Sequence, residues 1–256
     1  MLRARHARIA ALALASLILV SGLCALGEHA RAQGTPTPWT QLSPAEEEAF
    51  LMVEQNQMIR ARELGEALVA DDPTSFIGHL VLAYAQHFAE ANFPRALYHA
   101  KLARQHFEAR FGPEPQTPAP WIWHARIIQE LANVHGDLGH HAERIALIER
   151  FNRSYQPRMV AEVAWSLMKL GRYDEARAAA RAGLAEDGPG QVMVAINALC
   201  AIEFEAGRDG ASYDACGQAL AHSRQTGSVT VVDLTNFAEA ARTMFQLAEA
   251  GRALLE

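Results

Sequence analysis

Residues 157–190 read PRMVAEVAWSLMKLGRYDEARAAARAGLAEDGPG, and this stretch decides the fold. Both halves carry apolar residues at helical spacing and are rich in alanine and leucine, the strongest helix formers. Gly171 divides them, because a glycine accepts the left-handed backbone that ends a helix without a Cβ penalty. The first helix therefore ends at Leu170-Gly171. The second follows the turn Gly171-Arg172-Tyr173-Asp174-Glu175-Ala176, runs to Asp187 and stops at Gly188-Pro189. Ala164, Ala176 and Ala180 are small enough for the two helices to approach closely, and Tyr173 fills the space toward the next unit.

Outward from this unit the same rhythm recurs in weaker form. Asn92-Phe93-Pro94-Arg95-Ala96 is a turn of the same kind, with Phe93 in the aromatic role and Ala96, Ala100 and Ala103 as small contacts. Leu131-Ala132 through Gly139-His140-His141 is another, with His141 in the aromatic slot. Leu199-Cys200 through Gly207 to Tyr213-Asp214-Ala215-Cys216 is a fourth, with extra residues in its turn. Residues 44–73 read as a degenerate first unit ending at Asp72-Pro73. Breaks fall near Asn56, Ala91-Asn92, the 112–120 loop, Gln156-Pro157, Gly207-Gly210 and Gly227, and their regularity marks an internal repeat. Ser228–Asp233 is the nearest approach to strand alternation, but it runs into a helical pattern through Glu249 and reads as one closing helix, with room for a truncated partner.

The small residue in the first helix, Gly-x-Tyr-x-x-Ala at the turn and Pro after the second helix resemble the tetratricopeptide repeat (TPR). The roles fall on Ala164, Gly171, Tyr173, Ala176, Ala180 and Pro189. The segment FEARFGPEPQT, with its long second helix and Gly-Pro-Glu-Pro, is similar to the longer TPR of kinesin light chains. The Pro118-Ala119-Pro120-Trp121-Ile122-Trp123 stretch departs from that pattern, and Pro120 starts an unusually long first helix. The resemblance implies an all-α fold: a right-handed α-solenoid superhelix of antiparallel helix pairs, about five of them plus a terminal helix. It covers residues 43–256 and is strongest at 157–190. Ser43-Pro44-Ala45-Glu46 opens that domain, with Ser43 and Glu46 as a capping box and Pro44 at the first helical position.

The first 34 residues have another character. Arg3, Arg5, His6 and Arg8 precede an uncharged run over 9–27, and Ala30-Arg31-Ala32 follows with small residues where a signal peptidase reads. This three-part pattern is a secretory signal peptide over 1–32, cleaved before Gln33, and it points to export, to the periplasm of a bacterium. The apolar run approaches the length of a bilayer span, so an uncleaved anchor is the competing reading. Residues 33–42 are a polar, proline-containing lead-in. Residues 1–32 hold four Arg and one Glu, so their removal leaves 19 basic and 28 acidic side chains, a net charge of −9. Such an acidic chain disfavours nucleic acid and anionic membrane as partners, with no membrane insertion once the signal is gone.

Cys200 and Cys216 are the cysteines that remain after signal removal. With Gly207 in register with Gly171 and Tyr213 with Tyr173, they take the places of Ala164 and Ala176. Those two positions face each other across the helix pair in the TPR unit, which implies a Cys200–Cys216 disulfide in an oxidising compartment. The alternative is two buried thiols acting as small apolar residues.

Chemistry is sparse. No nucleotide-binding glycine loop and no Gly-x-Ser-x-Gly occurs, and the carboxylate runs Glu46-Glu47-Glu48 and Glu186-Asp187 sit at helix ends. No catalytic residues and no cofactor are assigned, and the chain reads as a non-enzyme. His-x-x-x-His and His-Glu-x-x-His are absent, so no metal ligands are assigned either. His124 and His135 share a helix face but lie about 16 Å apart. His79 with His87, His99 with His106, and the adjacent His140-His141 read as surface and groove histidines.

The remaining candidate is the inner face that the resemblance assigns to the first helix of each pair. Counted from Gly139, Gly171 and Gly207, its positions are Arg126, Gln129 and Asn133, then Arg158, Trp165, Met168 and Lys169, then Asn197 and Phe204. Amides, cations and apolar surface suit an extended peptide held by its backbone and its carboxylates. Trp165 and Met168 are equally readable as core between repeats. Trp121 and Trp123 form a second patch beside the proline-rich loop. The expected function is an exported scaffold for a protein or peptide partner. The alternative is an accessory or ligand- or metal-sensing subunit of a cell-envelope enzyme or transport complex.

Overall fold

The computed structural model describes residues 42–112, 122–155, 158–186 and 192–255. The expected signal peptide, most of the lead-in, the 113–121 linker with Trp121, and the breaks at Pro157 and Gly188-Pro189-Gly190 lie outside the described residues. Among the described residues there are twelve α-helices and no strand.

The helices fall into two compact units divided at 156–157. The first holds α1 (Pro44–Glu54), α2 (Met58–Asp71), α3 (Phe76–Phe88), α4 (Phe93–Phe111), α5 (Ile122–Asp137) and α6 (His141–Ser154). The second holds α7 (Glu162–Lys169), α8 (Tyr173–Glu186), α9 (Val192–Glu205), α10 (Asp209–Thr226), α11 (Val231–Thr243) and α12 (Leu247–Leu255). Within each unit every helix packs on the next, and the leading helices of successive pairs also touch: α1 with α3, α3 with α5, α7 with α9, α9 with α11. That pattern of helix pairs stacked each on the next is a TPR-like helical solenoid.

Local chemistry sets the helix ends. Ser43 Oγ accepts the Glu46 N–H while the Glu46 carboxylate accepts the Ser43 N–H, so the expected capping box forms, with Pro44 at the first helical position. Gly139, Gly171, Gly207 and Gly227 all take positive φ at the breaks assigned to them. Gly210 lies inside α10 and breaks nothing.

Two expectations are corrected. The pattern over 228–249 falls in two helices, so the closing helix does have a partner and the described residues form six pairs. Thr230 caps α11 through a second capping box with Asp233, and the chain turns again at Phe245, which adopts φ 60° without a glycine. The leading helix of the strongest repeat is also short. Residues 159–164 are joined by i→i+3 bonds from Glu162 to Met159 and from Val163 to Val160, and α7 begins only at Glu162.

Packing relies on small side chains. Ala96, Ala100, Ala103 and Phe107 make a fully buried stripe down α4 at the spacing of one helix face. Glycine brings α2 and α3 together: a Cβ at Gly78 would lie 3.0 Å from Leu68 Cβ and 2.9 Å from Val69 Cγ2. In the second unit Ala164, Ala176 and Ala180 have no exposed surface, as the repeat pattern requires. Cys200 and Cys216 occupy the equivalent places on α9 and α10, with Ala240 of α11 packed against them. Their Sγ atoms are 2.10 Å apart and their Cα atoms 4.6 Å apart. Arg177 of α8 donates to Glu203 of α9 at 2.8 Å, a buried ion pair that ties one helix pair to the next, and to the exposed Asp174 of its own helix at 2.5 Å.

Candidate functional site

The nine inner-face residues divide between the units. Arg126, Gln129 and Asn133 lie on α5 in the first; Arg158, Trp165, Met168 and Lys169 lie on or just before α7, and Asn197 and Phe204 on α9, in the second. Each group is described within its own unit.

In the first unit Arg126 is held inside the fold. Its guanidinium donates to Glu54 of α1 at 3.1 Å and lies 4.6 Å from the Phe50 ring centroid and 5.6 Å from that of Trp123. Cation–π contact and an ion pair thus lock it between α1 and α5. Trp123 is buried against Phe50, with centroids 4.7 Å apart, so it offers no surface patch. Gln129 is buried as well, and Asn133 is half-buried.

Beside this lies a network that the sequence did not announce. His87 of α3 sits between two carboxylates of α5, with Nδ1 2.9 Å from Glu130 Oε1 and Nε2 2.6 Å from Asp137 Oδ2. Burial alone would push the imidazole down. The Glu130 charge and the hydrogen bonds to Asp137 and Glu130 outweigh it and raise the ring to about 9. His87 is therefore an imidazolium joining two helix pairs. Nothing in the local sequence signals it, because the partners are 43 and 50 residues away.

The second unit presents a more open face. On α7 Trp165 is half-buried and Lys169 exposed, while Met168 is buried and serves as core. On the adjacent leading helix, α9, Phe204 is half-buried and Asn197 is 7% exposed. The Asn197 carboxamide oxygen is buried and has no hydrogen-bond donor. Arg158 precedes α7 and is half-buried. The two neighbouring leading helices thus combine half-buried aromatic side chains and an exposed cation with a buried, unsatisfied amide oxygen.

The histidines pair in ways their spacing hides. His79 Nδ1 lies 3.1 Å from His99 Nδ1, and His79 Nε2 lies 3.1 Å from the Pro73 carbonyl. His124 joins Tyr155 at 2.5 Å and Glu108 at 3.3 Å. His135 Nδ1 lies 3.3 Å from His140 Nδ1 across the turn between α5 and α6.

Comparison with known proteins bears on the fold alone. No protein-family model matches the chain. No curated protein matches it either. Among solved structures, the chain is similar to a Podospora anserina kinesin light chain described as having nearly identical TPR-like repeats. The TM-score is 0.56 and the identity 18%, over 76% of this chain and 100% of the other. The class that structure and comparison define is the TPR-like helical repeat.

Proposed function

We propose that the chain is a non-catalytic exported scaffold that holds a protein or peptide segment on the leading-helix face of its repeats. The observation that carries this reading is Asn197. Its amide oxygen is buried and unpartnered on α9, beside the helix that bears Trp165 and Lys169. A buried acceptor without a donor costs about 1–3 kcal/mol, so the Asn197 carboxamide gains by turning outward to meet a peptide N–H laid along the face. Trp165 and Phe204 add apolar contact and Lys169 a charge for a carboxylate.

Export rests on the N-terminal pattern, with residues 1–32 removed before Gln33. The compartment agrees with a Cys200–Cys216 disulfide, for which the two sulfurs stand at bonding distance. The test is co-purification from the envelope fraction with wild type, Trp165→Ala and Asn197→Ala. Both variants should keep the helical circular dichroism and lose the bound protein. Recovery of the same partners at the same level by all three would remove the assigned face. The intact mass of the secreted chain, expected to begin at Gln33, tests the export reading separately.

A further inference from the structure

The turn that closes α5 is built like others in this chain. Gly139 takes φ +75°, its N–H donates to the Gly136 carbonyl at 3.0 Å, and the His140 N–H donates to the His135 carbonyl at 2.8 Å. This paired bonding past a left-handed glycine is the Schellman motif. It brings the side chains five residues apart, on either side of the turn, into contact. The same bonds recur at Gly171, between Arg172 and Leu167, and at Gly207, between Arg208 and Glu203. At Gly207 the two side chains meet as an ion pair, Arg208 Nη1 to Glu203 Oε2 at 3.3 Å. At Gly139 the same two places are both histidine.

The backbone hydrogen bonds hold the two Cα atoms in place, so the imidazoles are presented side by side. Their Nδ1 atoms are 3.3 Å apart and the ring centroids 5.4 Å apart, with the planes at 51°. An ion at ordinary metal–imidazole distance from both nitrogens would see them at about 105–110°, close to tetrahedral. His135 is half-buried and His140 exposed, so one side of the pair opens to solvent. The environment also favours the neutral form of His135. Its pKa is lowered by burial first and then by the His140, Lys101 and Arg104 charges, against an opposing Glu143. A neutral imidazole is the form that binds metal.

We infer that His135 and His140 form a two-imidazole chelate for a divalent first-row transition ion of the nickel, copper or zinc kind. No group of three or more His, Cys, Asp or Glu side chains suited to a metal occurs among the described residues, so water fills the remaining positions. Lys101 and Arg104 weaken the site equally for every divalent cation, and the donors of the pair are nitrogens with no carboxylate oxygen among them. Magnesium and calcium, which need oxygen ligands, are therefore excluded, whereas imidazole nitrogen suits the softer ions. The other histidine pair, His79 with His99, serves as the internal comparison. There the His79 Nε2–H donates to the Pro73 carbonyl, which leaves His79 Nδ1 as the acceptor of a His99 Nδ1–H, and that hydrogen bond accounts for the contact.

The experiment uses the protein freed of any affinity tag, titrated calorimetrically with Zn2+ and Ni2+. One equivalent should bind, and His140→Ala, an exposed turn substitution, should weaken it by about tenfold or more while His99→Ala leaves it unchanged. Nitrogen-15 NMR of the imidazoles should show the Nδ1 resonances of His135 and His140 moving on zinc addition. Equal binding by wild type and His140→Ala overturns the assignment. So does loss in His99→Ala, or Nδ1 resonances that stay in place. None of these outcomes bears on peptide binding at the Asn197 face, which lies in the other unit.

Discussion

His87 of α3 donates its Nδ1–H to Glu130 of α5 across 2.9 Å, and neither side chain is more than 2% exposed. With Asp137 on the other nitrogen, the ring is a buried cation between two anions. Its folded pKa of about 9 stands above the ordinary 6.5, so the proton binds more tightly in the folded chain. The stabilisation is therefore complete below pH 6.5 and is lost as the pH rises toward 9. Urea unfolding across that window should show stability falling by a few kcal/mol at most. His87→Ala should cost about 3 kcal/mol at neutral pH, because Glu130 is left buried without its partner, and should flatten the slope. An unchanged slope in the variant would assign the pH dependence elsewhere.

Cys200 and Cys216 would close a loop of 16 residues inside one helix pair. Oxidation of that loop contributes about 3 kcal/mol in the chain-entropy view. Unfolding with and without reductant should differ by about that amount in wild type and not at all in Cys200→Ala/Cys216→Ala. Two free thiols titrated in the unfolded, unreduced protein would refute the bond.

Two glycines should respond in opposite senses to alanine. At Gly78 the new Cβ meets Leu68 Cβ at 3.0 Å, an atom that cannot turn aside, so Gly78→Ala is expected to destabilise by about 1–3 kcal/mol. Gly251 lies within α12 with nothing within 4 Å of the added carbon. Gly251→Ala should stabilise by about 0.5–1 kcal/mol, through helix propensity alone. Thermal unfolding of the two variants side by side gives the comparison.

Arg177 and Glu203 test the joint between α8 and α9. Arg177→Met leaves a buried carboxylate whose remaining cation, Arg208, is exposed, and should cost about 2–4 kcal/mol. The double variant Arg177→Met/Glu203→Met should recover part of that loss. A double-mutant cycle with no coupling would show that the pair contributes shape and not charge.

What the sequence revealed follows from how local each signal is. The glycine-ended turns were legible at Gly139, Gly171, Gly207 and Gly227, because positive φ favours glycine and its position marks the helix end. The turn at Phe245 was not, because an aromatic residue holds the same backbone region there. The start of α11 did carry a signal, Thr230-Val231-Val232-Asp233, of the same capping-box form as Ser43 to Glu46. The facing of Cys200 and Cys216 was legible because repeat register carries a known contact from one unit to the next. The burial of Arg126 was not, since its partner Glu54 is 72 residues away and belongs to another pair. The meeting of His135 and His140 leaves no mark in helical spacing, because their contact spans the end of the helix.

The turn at Gly139 also has a bearing on how such arrays diversify. Glycine and two backbone bonds fix the corner, so the two flanking side chains are free to change as a matched couple. Among the described residues four such couples stand at glycine corners: leucine with arginine, glutamate with arginine, serine with serine, and histidine with histidine. None of these exchanges asks the alanine-lined contacts between helices to move. The corners of the array thus act as sockets whose paired side chains differ from turn to turn while the backbone that holds them is the same.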